Sequence, residues 1–145
     1  MIPEVKTFGY GSPEYQLALK LRNEVLRKPL GLTFTEEELK KDAADTHFGL
    51  FYADVIVACL ILTQTENQRM KMRQVAVADN YQGKGLGRIL SDAAEKYAVE
   101  HGFTVMFCNA RKTAVPFYQK LGYHTVGSEF VEVNIPHFMM EKSLS

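Results

Sequence analysis

The chain has 145 residues, 46% hydrophobic and 23% charged, a composition that fits a folded domain with a sizeable core and excludes a disordered chain. Its 17 Lys and Arg balance its 17 Asp and Glu, so no long-range field recruits nucleic acid or an anionic membrane. The first residues, Met1-Ile2-Pro3-Glu4-Val5-Lys6, lack the basic and apolar regions of a signal peptide. The longest apolar run, Val55 to Leu62, is strand-sized and too short to span a bilayer.

Cys59 and Cys108 each lie inside an apolar run, with no histidine or second cysteine at metal-ligand spacing. Both read as small core residues of a reduced, cytoplasmic protein, and no metal site is expected. No repeat, low-complexity tract or linker divides the chain, so residues 1–145 are expected to form a single domain.

In chain order, Lys6 to Tyr10 reads as a short first strand. Ser12 caps a helix with Pro13 in its first turn, and Leu17, Leu19, Leu21, Val25 and Leu26 recur at helical spacing until Pro29 and Gly31 stop it. Thr35-Glu36-Glu37-Glu38 resembles a capping box opening a short acidic helix that ends near Lys41. Phe48 to Tyr52 and Val55 to Thr63, separated by Ala53-Asp54, predict an antiparallel hairpin. Met70 to Val77 alternates as a further strand. A long helix is expected from Gly85 to His101, with Leu86, Ile89, Leu90, Ala93, Ala94, Tyr97 and Ala98 facing inward and Gly102 as its stop. Thr104 to Cys108 is a strand, Thr113 to Leu121 a helix, and Tyr123 to Val126 and His137 to Glu141 close the chain as strands. This order predicts a mixed α/β sheet rather than a doubly wound one.

The most informative stretch runs from Val75 to Arg88, where Gly83, Gly85 and Gly87 alternate between a strand and a long helix. Glycine permits positive φ and close backbone approach, and a helix start offers unpaired N–H groups with a partial positive charge. Such a turn suits a pyrophosphate, with Lys84 and Arg88 as further cationic contacts. A P-loop is excluded because Gly-x-x-x-x-Gly-Lys-Ser/Thr is absent. A dinucleotide fingerprint fails because Arg88 stands where the third glycine belongs. The bland alternative is a glycine-rich helix entry with no ligand.

Gln82-x-x-Gly85-x-Gly87 resembles the acetyl-coenzyme A signature of the GNAT acetyltransferase family. Downstream, Ala114-Val115-Pro116-Phe117-Tyr118-Gln119-Lys120-Leu121-Gly122-Tyr123 resembles the family's second motif, Ala-x-x-Phe-Tyr-x-x-x-Gly-Phe/Tyr. Both occur in family order. The resemblance implies an α/β (α+β) fold with a mostly antiparallel central sheet of about seven strands, flanked by helices and splayed in the middle. It also implies acetyl-CoA as cosubstrate, held by the main chain of Val75, Ala76 and Val77 and by the segment Gln82, Gly83, Lys84, Gly85, Leu86, Gly87 and Arg88. Tyr118 is implied to lie near the thioester sulfur, where a protonated phenol can donate to a departing thiolate. Its alternative is a core aromatic beside Phe117. Many members carry asparagine where this chain has Arg111, and Asn109 lies two residues earlier, so either is a candidate cofactor contact.

The ending Glu132-x-x-Ile135-Pro136-His137-x-x-Met140 and the run Leu21-Arg22-Asn23-Glu24-Val25 resemble an ElaA-like subset. An attacking amine must lose a proton, and His137, Glu132 and Glu24 are the candidate acceptors. Each has a plain structural alternative: a backbone-satisfied histidine, a solvated strand residue and a helix-face ion pair. Arg22 and Arg73 either bind an acidic part of a substrate or pair with carboxylates. The expected reaction is direct acetyl transfer to a primary amine of a small molecule or peptide. O-acyl transfer, a longer acyl-CoA and a non-catalytic acyl-CoA sensor are the alternatives. Oligomeric state is left open, a homodimer included.

Overall fold

A computed structural model describes residues 2–144. The strands are β1 (Glu4–Phe8), β2 (Thr46–Tyr52), β3 (Val55–Gln64), β4 (Arg69–Val77), β5 (Val105–Arg111), β6 (His124–Glu132) and β7 (Ile135–Ser143). The helices are α1 (Pro13–Arg22), α2 (Glu36–Lys40), α3 (Leu86–Glu100) and α4 (Val115–Lys120). The strands form one sheet in the order β1-β2-β3-β4-β5-β7-β6, antiparallel at every junction except β4–β5. The mixed, mostly antiparallel seven-stranded sheet is therefore as expected.

The parallel junction is short. Only Arg69, Met70 and Lys71 of β4 pair with β5, opposite Val105, Met106 and Phe107. Beyond Lys71 the two strands part and open a wedge in the middle of the sheet. A bulge in β4 marks the parting: Ile61 pairs with Arg73 and Cys59 with Ala76, so Gln74 and Val75 together oppose Leu60. Gln74 takes a φ of 55°, a left-handed conformation unusual for a residue with a side chain.

The sheet is covered by α3, which buries Leu86, Leu90, Ala94 and Ala98 against Phe48, Leu60, Met72 and Met106. Ile89, expected on that inner face, is instead 41% exposed, because it lies at the margin of the helical stripe defined by Leu86 and Leu90. A second cluster packs Ala18 and Leu21 of α1 against Cys59 and Ala76. Here too the stripe is rotated from the expected one: Tyr15, Ala18, Leu21 and Arg22 are buried while Leu17 is exposed. Both cysteines are buried and free, and burial pushes each thiol up to about 12.

Several boundaries differ from those expected. The first strand is Glu4–Phe8 rather than Lys6 to Tyr10, because Ser12 N–H bonds to Gly9 O and turns the chain there. The closing strands are longer than expected, since the two-residue turn Val133-Asn134, with both φ positive, lets β6 and β7 pair up to Glu132 and Ile135. The capping box at Thr35 and Glu38 is present. Among the described residues no helix is long and apolar enough to cross a membrane.

Candidate active site

The glycine turn resolves into two different uses of glycine. Gly85 precedes α3 with φ 77°, and a Cβ placed there would meet no atom within 4 Å, so its surface faces open space. Gly87 lies inside the helix, where a Cβ would come within 2.7 Å of the Phe117 ring. The first glycine shapes a turn and the second lets α4 approach α3. No side chain caps α3, which leaves its first N–H groups free toward the adjoining cavity. Arg88 donates to the Lys120 carbonyl at 2.6 Å, tying α3 to the end of α4. Gln82 braces the turn, its amide donating to Val77 O at 3.1 Å and Asp79 Oδ1 at 3.3 Å. Lys84 stands over the Tyr81 ring at 5.4 Å.

A cavity of about 540 Å³ opens at this turn, lined by Val75, Ala76, Val77, Gly85, Gly87 and Phe117 together with Gln82, Gly83, Leu86 and Arg88. Tyr118 stands at its inner end, 7% exposed, with its ring edge-on to Phe117 and Tyr123. Its position on α4 is held by Tyr123 N–H, which closes onto Tyr118 O at 3.0 Å. Burial raises the Tyr118 phenol far above its ordinary range, and the neighbouring Arg111 charge offsets only part of this. The hydroxyl therefore stays protonated across the physiological range, as a proton donor requires.

A second cavity, about 410 Å³, is also lined by Tyr118. Its wall includes Asn109, Arg111, Glu132 and His137, so these four sequence candidates come together there, in a cavity that no residue of the glycine turn lines. Val75, Ala114 and Tyr118 line both cavities. His137 is 3% exposed and stacks on Phe130. Its Nδ1 lies 2.7 Å from Ile135 O, and because a carbonyl only accepts, Nδ1 carries a proton and Nε2 is left for another partner. That nitrogen is 3.6 Å from Glu132 Oε2. The backbone-satisfied histidine and the proton-accepting histidine are thus compatible in one side chain. Glu24 is exposed and lines neither cavity.

Arg22 and Arg73 are occupied by carboxylates. Asp42, fully buried, accepts from Arg22 Nη1 at 2.8 Å, Arg73 Nη2 at 2.7 Å and the Tyr15 hydroxyl at 2.8 Å. Burial alone would raise the Asp42 carboxyl, but these donors hold it below the usual carboxylate range. Arg73 also reaches Asp45 at 2.7 Å.

Sequence reasoning missed the contribution of the segment after α1. There the helix widens into a π turn, Asn23–Arg27, whose longer repeat brings Arg22 and Arg27 to the same side, stacked on Phe34 at 4.6 and 4.2 Å. Arg27 forks onto both oxygens of Glu38 at 3.2 and 2.7 Å, and that bond holds the Glu38 carboxyl at about 2. Arg27, Phe34 and Glu38 all line the second cavity. The regular apolar spacing up to Val25 and Leu26 gave no sign of the extra residue in the turn.

Residues 23–144 match the family model described as an acetyltransferase (GNAT) domain. The chain belongs to the GNAT acetyltransferase family. An uncharacterized N-acetyltransferase of Bacillus subtilis, YjcF, is 37% identical over 73 residues, which cover 50% of this chain and 52% of that protein. The match to two other Bacillus subtilis relatives likewise spans about half of their length. This GNAT chain also superposes on an inferred N-acetyltransferase from Lactobacillus plantarum with a TM-score of 0.89 and 26% identity, over 99% of both chains. An aminoglycoside 6'-N-acetyltransferase crystallised with coenzyme A shares the fold, with a TM-score of 0.80 and 16% identity over 98% of this chain and 97% of that one.

Proposed function

We propose that this GNAT acetyltransferase moves the acetyl group of acetyl-CoA onto a primary amine by direct attack, with both substrates bound together. The observation that carries the reading is the pair of cavities that share Val75, Ala114 and Tyr118. A cosubstrate entering from the glycine turn and an amine entering from the second cavity would meet at the Tyr118 hydroxyl. The uncapped start of α3, the open space at Gly85 and the Arg88 guanidinium fit a pyrophosphate. The coenzyme A of the aminoglycoside acetyltransferase structure supports the same ligand class.

Bound acetyl-CoA supplies an activated thioester. Past the bulge at Gln74, β4 has no partner on its β5 side among the described residues, so main-chain groups of Val75 to Val77 are free to hold the pantetheine arm and polarise the acyl carbonyl. His137 Nε2, with Glu132 beside it, takes the proton that the amine loses as the C–N bond forms. Tyr118 gives its proton to the sulfur as the C–S bond breaks. Holding both reactants in one wedge accounts for acceleration without a covalent enzyme intermediate. The Ile135-Pro136-His137 ending supports a relationship to ElaA-like members.

Calorimetry with coenzyme A, followed by thiol release from acetyl-CoA across an amine panel, tests the reading. Coenzyme A binding with amine-dependent thiol release is the expected result. Binding without release on any amine or alcohol would leave an acyl-CoA sensor in its place.

A further inference from the structure

The second cavity is strongly unbalanced in charge. Six basic side chains, Arg22, Arg27, Lys41, Lys71, Arg73 and Arg111, line it against two acids, Glu38 and Glu132. Three of the six are already matched: Arg22 and Arg73 by Asp42 and Asp45, and Arg27 by Glu38. Among the described residues, Arg111 has no carboxylate within salt-bridge distance. Its one hydrogen bond, Nη2 to Leu26 O at 2.6 Å, aims the guanidinium without neutralising it. Burial and the nearby Arg27 charge both disfavour its charged form, so the fold retains Arg111 at a cost. A planar fork in that state fits a carboxylate, which can accept two parallel N–H bonds.

The neighbours of Arg111 limit how far this carboxylate lies from the reacting nitrogen. Arg111 sits directly across from His137 in the β5–β7 ladder, so their side chains share one face of the sheet a few ångströms apart. Asn109, two residues earlier on the same face of β5, has a buried Oδ1 without a hydrogen-bond partner. That oxygen calls for a donor, as Arg111 calls for an acceptor.

We infer that the acceptor is an amino acid or a close analogue, its carboxylate held by Arg111 and its amine presented to Asn109 Oδ1 and the free His137 Nε2. This deepens the acetyltransferase reading and rests on it. The same observation moves Asn109 and Arg111 from the cofactor side to the acceptor side. A dicationic polyamine would bring further positive charge to a wall on which six basic side chains face two acids.

The test offers each common L-amino acid and its carboxamide to the enzyme with acetyl-CoA. The free acids should exceed their amides by about ten- to a hundredfold in kcat/KM, the range for hydrogen bonds to a charged group. Arg111→Gln should bring that ratio near one by raising KM for the acids, while coenzyme A affinity measured by calorimetry holds. Arg111→Lys should retain part of the preference. Without turnover, the acids and not the amides should raise the melting temperature of the coenzyme A complex. Equal or better use of the amides, a preference intact in folded Arg111→Gln, or no melting shift with either set would overturn the inference and leave the acetyltransferase reading standing. Failure of coenzyme A itself to bind would instead remove that reading, and this one with it.

Discussion

The two cavities that meet at Tyr118 are built from different materials. The one at the glycine turn adds main-chain features to its apolar side chains: an uncapped helix start, a glycine with φ 77°, and, among the described residues, a strand edge without a β5 partner beyond Lys71. The second is made of side chains that arrive from the π turn, from Phe34 and Glu38, from β4 and β5, and from the β6–β7 hairpin. A main-chain site can recognise a group common to many ligands, such as a pyrophosphate, with little dependence on neighbouring residue types. A side-chain site recognises charge and shape, and changes whenever one of those residues changes.

Four experiments press on that comparison, in descending size of effect. Tyr118→Phe keeps the ring between the two cavities and removes the donor common to both; kcat should fall by about a hundred- to ten-thousandfold with coenzyme A affinity unchanged. Unchanged turnover in a folded variant, with chemistry rate-limiting, would return Tyr118 to the core. Gly85→Glu places a side chain and a like charge in the main-chain cavity. Coenzyme A affinity should fall by about a hundredfold or more, and Gly85→Ala separates the backbone strain from the charge. Normal binding by folded Gly85→Glu would break the assignment.

The third experiment asks whether the charges behind the second cavity hold the fold. Asp42→Asn leaves the buried Arg22 without its carboxylate and the half-buried Arg73 with Asp45 alone, and should cost about 3–5 kcal/mol in denaturant unfolding. Asp42 and Glu38 are both held below the ordinary carboxylate range, so their contribution is complete above an unfolded pKa of about 4 and is lost as the pH falls. For Glu38 that loss runs down through about 2. The wild-type melting temperature should therefore decline in acid, and Asp42→Asn should flatten the decline. An equally steep curve in the variant would show that other carboxylates govern it. The smallest effect belongs to His137→Gln, because Glu132 lies 3.6 Å from the ring and can relay the proton through water. We expect a fall in kcat of about tenfold with the melting temperature held, whereas a purely structural histidine would lower only the melting temperature.

Several features could be read from the chain because each depends on residues close together in sequence. The apolar run of β3, the alternation in β4, the capping box at Thr35, the Ala53-Asp54 turn and the glycines before α3 are local devices, and each appears where its residue chemistry puts it. The two motifs, one around Gly85 and the other around Tyr118, identified the family for the same reason. Other features had no local signal. Gln74 has no intrinsic preference for positive φ, and only pairing with β3 beside a departing β5 imposes it. Ile89 and Leu17 satisfy helical spacing yet face solvent, since the rotation of each stripe is set by the sheet beneath.

By itself the sequence determined the element order, the mixed sheet, the glycine turn and the presence of Tyr118, because hydrophobic period, turn chemistry and helix capping act over a few residues. Only the tertiary structure decided which arginines are neutralised. Asp42 lies twenty residues from Arg22 and thirty-one from Arg73, and Arg111 reaches Leu26 across eighty-five. Over such separations the charge left facing the second cavity depends on three-dimensional distance and burial, neither of which the spacing of residues along the chain encodes.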